Sequence, residues 1–153
     1  MAAAPSRAAG GESDRVRTVR AVGFFAELTP GWGFPTEGSI SDAVRPWADH
    51  DETETRLVNY LRSGGSEIWS EMGAQTDVLD PDGPTLVGNG SLFTDGIWLW
   101  REDLSYYVAR YHLALPREFV AHVRGLEYSP PQVPESRLVE ILTQDLGISM
   151  GRP

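Results

Sequence analysis

Two short apolar runs, Ser91-Leu92-Phe93-Thr94 and Ile97-Trp98-Leu99-Trp100, are joined by Asp95-Gly96. Asp-Gly between such runs is the strongest short-range signal for a β-hairpin, because the turn needs positive φ. With Asp95 and Gly96 as the turn, Thr94 pairs with Ile97, Phe93 with Trp98, Leu92 with Leu99 and Ser91 with Trp100. One face then carries Phe93, Trp98 and Trp100. The other carries Leu92, Thr94, Ile97 and Leu99. Both faces are apolar, so the pattern predicts a hairpin covered on both sides, at the centre of the fold.

The remaining elements follow from the same patterning. Val16, Val19, Val22, Phe24 and Phe25 lack helical spacing and predict a strand within residues 15 to 28. Residues 29 to 38 are rich in Pro and Gly and predict a loop that tucks Trp32 and Phe34 over the core edge. Ser39, with Asp42 three residues on, predicts a short helix that Pro46 ends. Asp51 and Glu54 start another, with Leu57, Tyr60 and Leu61 as its stripe and Gly64-Gly65 as its stop. Ile68-Trp69 and Val78-Leu79 read as short strands, and residues 80 to 84 as a turn. Leu86-Val87 and Leu92-Phe93 flank Gly88-Asn89-Gly90 as a second hairpin.

Helices close the chain. Leu104, Tyr107, Val108 and Tyr111 follow the i, i+3, i+4, i+7 rule. Pro116 opens a helix that Gly125 ends. A last helix runs over residues 134 to 146, with Gly147 past its end and Ile148 folding back on Leu142. The order of elements predicts an α+β fold: a central antiparallel meander or hairpin sheet, helices packed on it, and a mostly helical C-terminal half. Residues 1–14, rich in Ala, Gly and Ser, read as a flexible tail. Residues 15–150 read as a single globular domain, long enough for one core.

Composition narrows the function classes. Thirteen basic residues, all arginine, stand against twenty-two acids, a net charge of -9. That balance argues against a nucleic-acid partner, which requires a basic surface. With no cysteine, disulfides, thiolate catalysis and Cys-type zinc sites are excluded. No apolar run reaches membrane-spanning length, and no signal-peptide core precedes the domain. The expectation is a cytoplasmic protein with no membrane partner, no cofactor and no metal.

Candidate chemistry is sparse. Asp49-His50-Asp51-Glu52 suits a solvated helix start better than a ligand set. Asp80, Asp82 and Gly83 lack the twelve-residue calcium pattern. The Gly31-Trp32-Gly33-Phe34-Pro35 loop has acids rather than bases beside it, which would repel phosphate. His112 and His122 have no metal-type spacing. His112 could act with Asp103 or Asp95 as an acid–base pair if the fold joined them.

Two features remain. Residues 63 to 100 contain six acids and no base. They are either solvated loop residues or a face that steers a basic partner. Tyr106 and Arg110 share the helix face opposite the apolar stripe, and such residues are enriched at interfaces. Glu71, Asp77, Asp80, Asp82, Tyr106 and Arg110 are thus candidate partner-binding residues. The alternative is a ligand-binding or hydrolase-like pocket formed by Trp98, Trp100, Tyr107, Tyr111 and His112.

The phrase Thr94-Asp95-Gly96-x-Trp98-x-Trp100, followed by Asp103-Leu104-x-Tyr106-Tyr107 and Tyr111-His112-x-x-Leu115-Pro116-x-x-Phe119, resembles small acidic proteins of actinobacterial type. Some of these are similar to toxin-immunity proteins. The resemblance spans residues 91 to 124 and brings no catalytic residue. With the acidic balance, the lack of a catalytic motif and the paired acids and aromatics, the leading expectation is a non-catalytic protein, immunity-like or an adaptor, that binds a basic protein partner.

Overall fold

The computed structural model describes residues 17–45 and 51–149. The predicted tail and the Asp49-His50 pair lie outside these residues. The class is α+β, as the pattern predicts. One sheet has four strands in the order β1-β6-β5-β2: β1 (Arg20–Ala21), β2 (Ser66–Trp69), β5 (Leu92–Thr94) and β6 (Trp98–Arg101). β3 (Ala74–Thr76) and β4 (Thr85–Val87) form a second, two-stranded sheet. Four helices follow or flank them: α1 (Glu52–Ser63), α2 (Leu104–Tyr111), α3 (Arg117–Gly125) and α4 (Glu135–Glu140).

The β5–β6 hairpin is central, and both of its faces are covered. Trp98 and Trp100 pack with α1, α2 and α3 against Tyr60, Leu61, Tyr107 and Phe119. Leu92 and Leu99 pack on the other face with Phe24, Trp32, Phe34 and Ile141. Trp32 and Phe34 are thus buried from the loop that carries them.

The hairpin register differs from the expected one by two residues. Leu92 pairs with Arg101, Phe93 with Trp100 and Thr94 with Leu99. The cause is the Asp95 carboxylate, whose Oδ1 accepts the N–H groups of Ile97 and Trp98 at 2.9 and 2.7 Å. This Asx-type bonding makes Gly96 and Ile97 the central turn residues, with φ +94° at Gly96. A shift of two preserves the parity of each side chain, so the predicted faces survive except at Ile97, which falls in the turn and is exposed.

Other strand pairings also differ from the local reading. The sheet is mixed, since β1 runs parallel to β6. β1 is only two residues long because the chain turns away at Gly23, where φ is +81° and a Cβ would lie 2.7 Å from the Leu104 side chain. Val78-Leu79 is not a strand. Asp77 Oδ1 accepts the Leu79 N–H at 2.7 Å, and its carbonyl accepts the Asp80 N–H, which closes a turn there. Leu86-Val87 does not form a hairpin with Leu92-Phe93. β4 pairs with β3 and β5 with β2, so there is no simple meander.

The helices match the expected stripes. Asp51 caps α1 by accepting the Glu54 N–H at 2.7 Å. Ser39 caps a single 3₁₀ turn over Ile40–Ala43. α4 continues into a wider π turn over Ile141–Asp145. There Asp145 accepts the N–H groups of Thr18 and Val19 and the Thr18 hydroxyl, which anchors the chain leading into β1. Past the turn, Ile148 N–H donates to the Leu142 carbonyl at 2.9 Å, the predicted fold-back.

Candidate interaction face

The acid-rich segment folds against α2. The apolar stripe of α2 buries Leu104, Tyr107 and Val108, and this leaves Tyr106, Arg110 and Tyr111 along its flank. Tyr106 and Tyr111 hydroxyls both donate to Asp77 Oδ2 at 2.7 Å. Tyr107 accepts the Val78 N–H at 3.0 Å, and Arg110 Nη2 donates to Asp80 Oδ2 at 3.0 Å. Burial alone would raise the Asp77 carboxyl. The two tyrosine hydroxyls, the Leu79 N–H and nearby Arg110 outweigh it and hold the group below its usual range. Burial and the Asp77 charge push Tyr106 up to about 12.

Four of the six candidate partner-binding residues therefore meet in one network: Asp77, Asp80, Tyr106 and Arg110. They engage one another, and Asp77 is buried. Glu71 and Asp82 lie apart from it. The Glu71 side chain lies over Gly90, and Asp82 is exposed in the turn leading to β4.

A second set of acids keeps its charge unpaired. Among the described residues, Glu67, Glu71, Asp82 and Glu102 form no ion pair. Glu71, next to Met72 in the chain, and Glu102, within reach of the Gly88 turn, lie beside a short exposed apolar strip. Met72 is 78% exposed and Val87 72%. Val87 pairs with Ala74 at the open end of the β3–β4 sheet, and Ala74, Thr76 and Thr85 beside it are exposed. The turn after Val87 places Gly88 within reach of Glu102 and the Glu71 backbone.

Behind this strip lies a cleft of about 320 Å³ between the end of α1, β4 and the start of α2. Leu61, Leu86 and Phe93 form apolar wall, and Glu102, Ser105 and Tyr106 the side nearest α2. Arg62 is the one basic residue among the described residues that line it. Glu67 pairs with Phe93 across the sheet. Partial burial, then repulsion from Glu67 and Asp103, pushes the Glu102 carboxyl up. Asp103 itself clamps Arg101 through Nε and Nη2, both at 3.1 Å, and both side chains are buried.

The residues of the alternative pocket do not enclose a site together. Trp98, Trp100 and Tyr107 are close-packed core side chains, and Trp100 Nε1 donates to the Leu61 carbonyl at 2.9 Å. Tyr111 turns to Asp77. His112 reaches neither Asp95 nor Asp103. Its Nδ1 lies 2.9 Å from Glu54 Oε2, and its carbonyl accepts from Arg45 Nε. The histidine beside Asp95 is His122, with Nε2 2.8 Å from Oδ2. Tyr60 donates to that same oxygen at 2.6 Å. Among the described residues, no group of three or more His, Asp or Glu is arranged to hold a metal ion.

Sequence reasoning missed Glu67, Met72, Val87 and Glu102 as one surface. The available signal was their contrast with neighbours: Met72 and Val87 fit no buried stripe, and no base follows Arg62 until Arg101. The chain matches no protein-family model, no curated protein and no solved structure.

Proposed function

We propose that this protein acts by binding rather than catalysis, as an immunity-like or adaptor protein for a basic protein partner. The observation that carries this reading is exposed Met72 and Val87 beside Glu71 and Glu102, in a region where Glu67, Glu71, Asp82 and Glu102 form no ion pair among the described residues. Apolar side chains rimmed by one sign of charge suit a protein interface. The rim steers a basic partner on approach and repels nucleic-acid phosphates. The Asp77 network serves this face by fixing the acid-rich segment on α2. The pocket reading loses support because Trp98, Trp100 and Tyr107 fill the core.

The test is affinity capture from a lysate of the native host at low and high salt. Wild-type protein should recover a basic protein at low salt and release it at high salt. A variant with Glu67→Gln, Glu71→Gln, Asp82→Asn and Glu102→Gln should recover much less. Equal recovery by both proteins, without salt dependence, would remove the electrostatic interface.

A further inference from the structure

We propose that the cleft between α1, β4 and α2 receives a lysine or arginine side chain of the basic partner; this rests on the binding reading above. The cleft is built for a long cationic side chain. Leu61, Leu86 and Phe93 offer an apolar wall for its methylene stem. Such stems bury readily while the charged head stays at a polar rim. Glu102 lines that rim, and Glu67, opposite Phe93 on β2, adds a second carboxylate close enough to raise it. Neither forms an ion pair among the described residues, so a cation entering there meets two carboxylates opposed by Arg62 alone of the lining residues. Tyr106 also lines the cleft and adds an aromatic face suited to an ammonium or guanidinium group.

Behind Tyr106, Asp77 accepts the tyrosine hydroxyl, and Arg110, 5.9 Å from the ring centre, is bonded to Asp80. Asp103 is spent on Arg101. Arg62 lines the cleft and is the one group that favours an anion. Two unpaired carboxylates outweigh one guanidinium, so the net field favours a cation. Arg62 also supplies a discriminating test, because an anion site would depend on it and a cation site would not.

The experiment is a ¹H–¹⁵N NMR titration of the full-length protein with butylammonium, butylguanidinium and butyrate. The two cations should give saturable shifts at Leu86, Val87, Phe93 and Glu102, while butyrate gives none there. Glu102→Gln should weaken the cations by at least about threefold, the scale of one exposed ion pair. Arg62→Ala should leave them unchanged or tighter. Glu102 is exposed, and the thermal midpoint of each variant checks that it folds. Saturable butyrate shifts abolished by Arg62→Ala, or no saturable shift with either cation, would overturn the proposal. So would capture of the partner that stays salt-dependent yet is unaffected by Glu102→Gln, a result that leaves the binding reading standing. Failure of that reading looks different: the cation shifts persist, but the protein recovers no basic partner at low salt.

Discussion

His122 and Asp95 meet at 2.8 Å and tie α3 to the turn of the central hairpin. The same carboxylate accepts from Tyr60 on α1 and from two N–H groups of its own turn. One buried side chain thus joins two helices to the hairpin and sets its register.

Replacing Asp95 should therefore cost more than a surface acid would. Asp95→Asn presents an NH₂ group where the carboxylate accepts bonds, so at least one buried donor loses its partner. Unfolding in denaturant should show a loss of about 2–4 kcal/mol. An unchanged midpoint would show that the carboxylate is incidental.

Gly96→Val should cost more than about 1 kcal/mol, because φ is +94° and a β-branched residue is strained there. The neighbouring exposed Ile97 provides the control. Ile97→Thr should change stability by less than about 0.5 kcal/mol. Equal effects at the two positions would contradict the turn geometry.

Stability should fall at both pH extremes through the Asp77 network. Asp77 has a folded pKa below its ordinary 3.8, so its contribution is present above that value and is lost as pH falls through the folded pKa. Tyr106 and Tyr107 are raised from 10.0 to about 12, with burial as the largest cause. Their contribution is full below pH 10.0 and is lost as pH rises towards about 12. Denaturation at stepped pH should show both limbs, and Asp77→Asn should flatten the acid one. Phenol absorbance should show tyrosines that titrate late. An acid limb identical in Asp77→Asn would remove this carboxylate as its source.

Truncating Trp100 should reach the core directly. The side chain is fully buried and bonded to the Leu61 carbonyl. Trp100→Ala should cost about 3–5 kcal/mol in thermal or chemical unfolding, and a loss under about 1 kcal/mol would contradict its central place.

What local pattern could reveal was set by how local each interaction is. The stripes Leu57-Tyr60-Leu61 and Leu104-Tyr107-Val108 give α1 and α2 because a helix repeats within one turn. The hairpin and its two apolar faces were legible from Asp95-Gly96 and the flanking residues. The register was not, because it depends on a side chain bonding its own backbone. The β3–β4 and β2–β5 pairings join segments that leave little periodicity in runs of three or four residues. The His122–Asp95 pair and the Tyr106–Asp77 bond span more than twenty residues, and nothing in spacing marks them. For the interaction face, the acid-rich run was visible, but which acids are spent internally was not. Asp77 and Asp80 are bonded to α2, while Glu67 and Glu102 stay unpaired.

The most direct test of the binding account is the association rate of the captured partner, measured against salt on immobilised protein. Wild-type protein should associate fast at low salt and slow steeply as salt rises, because screening shortens the reach of exposed acids. The variant lacking the charges of Glu67, Glu71, Asp82 and Glu102 should associate about tenfold more slowly at low salt and show a shallow salt dependence. Identical rates for the two proteins, with no dependence on salt, would contradict it.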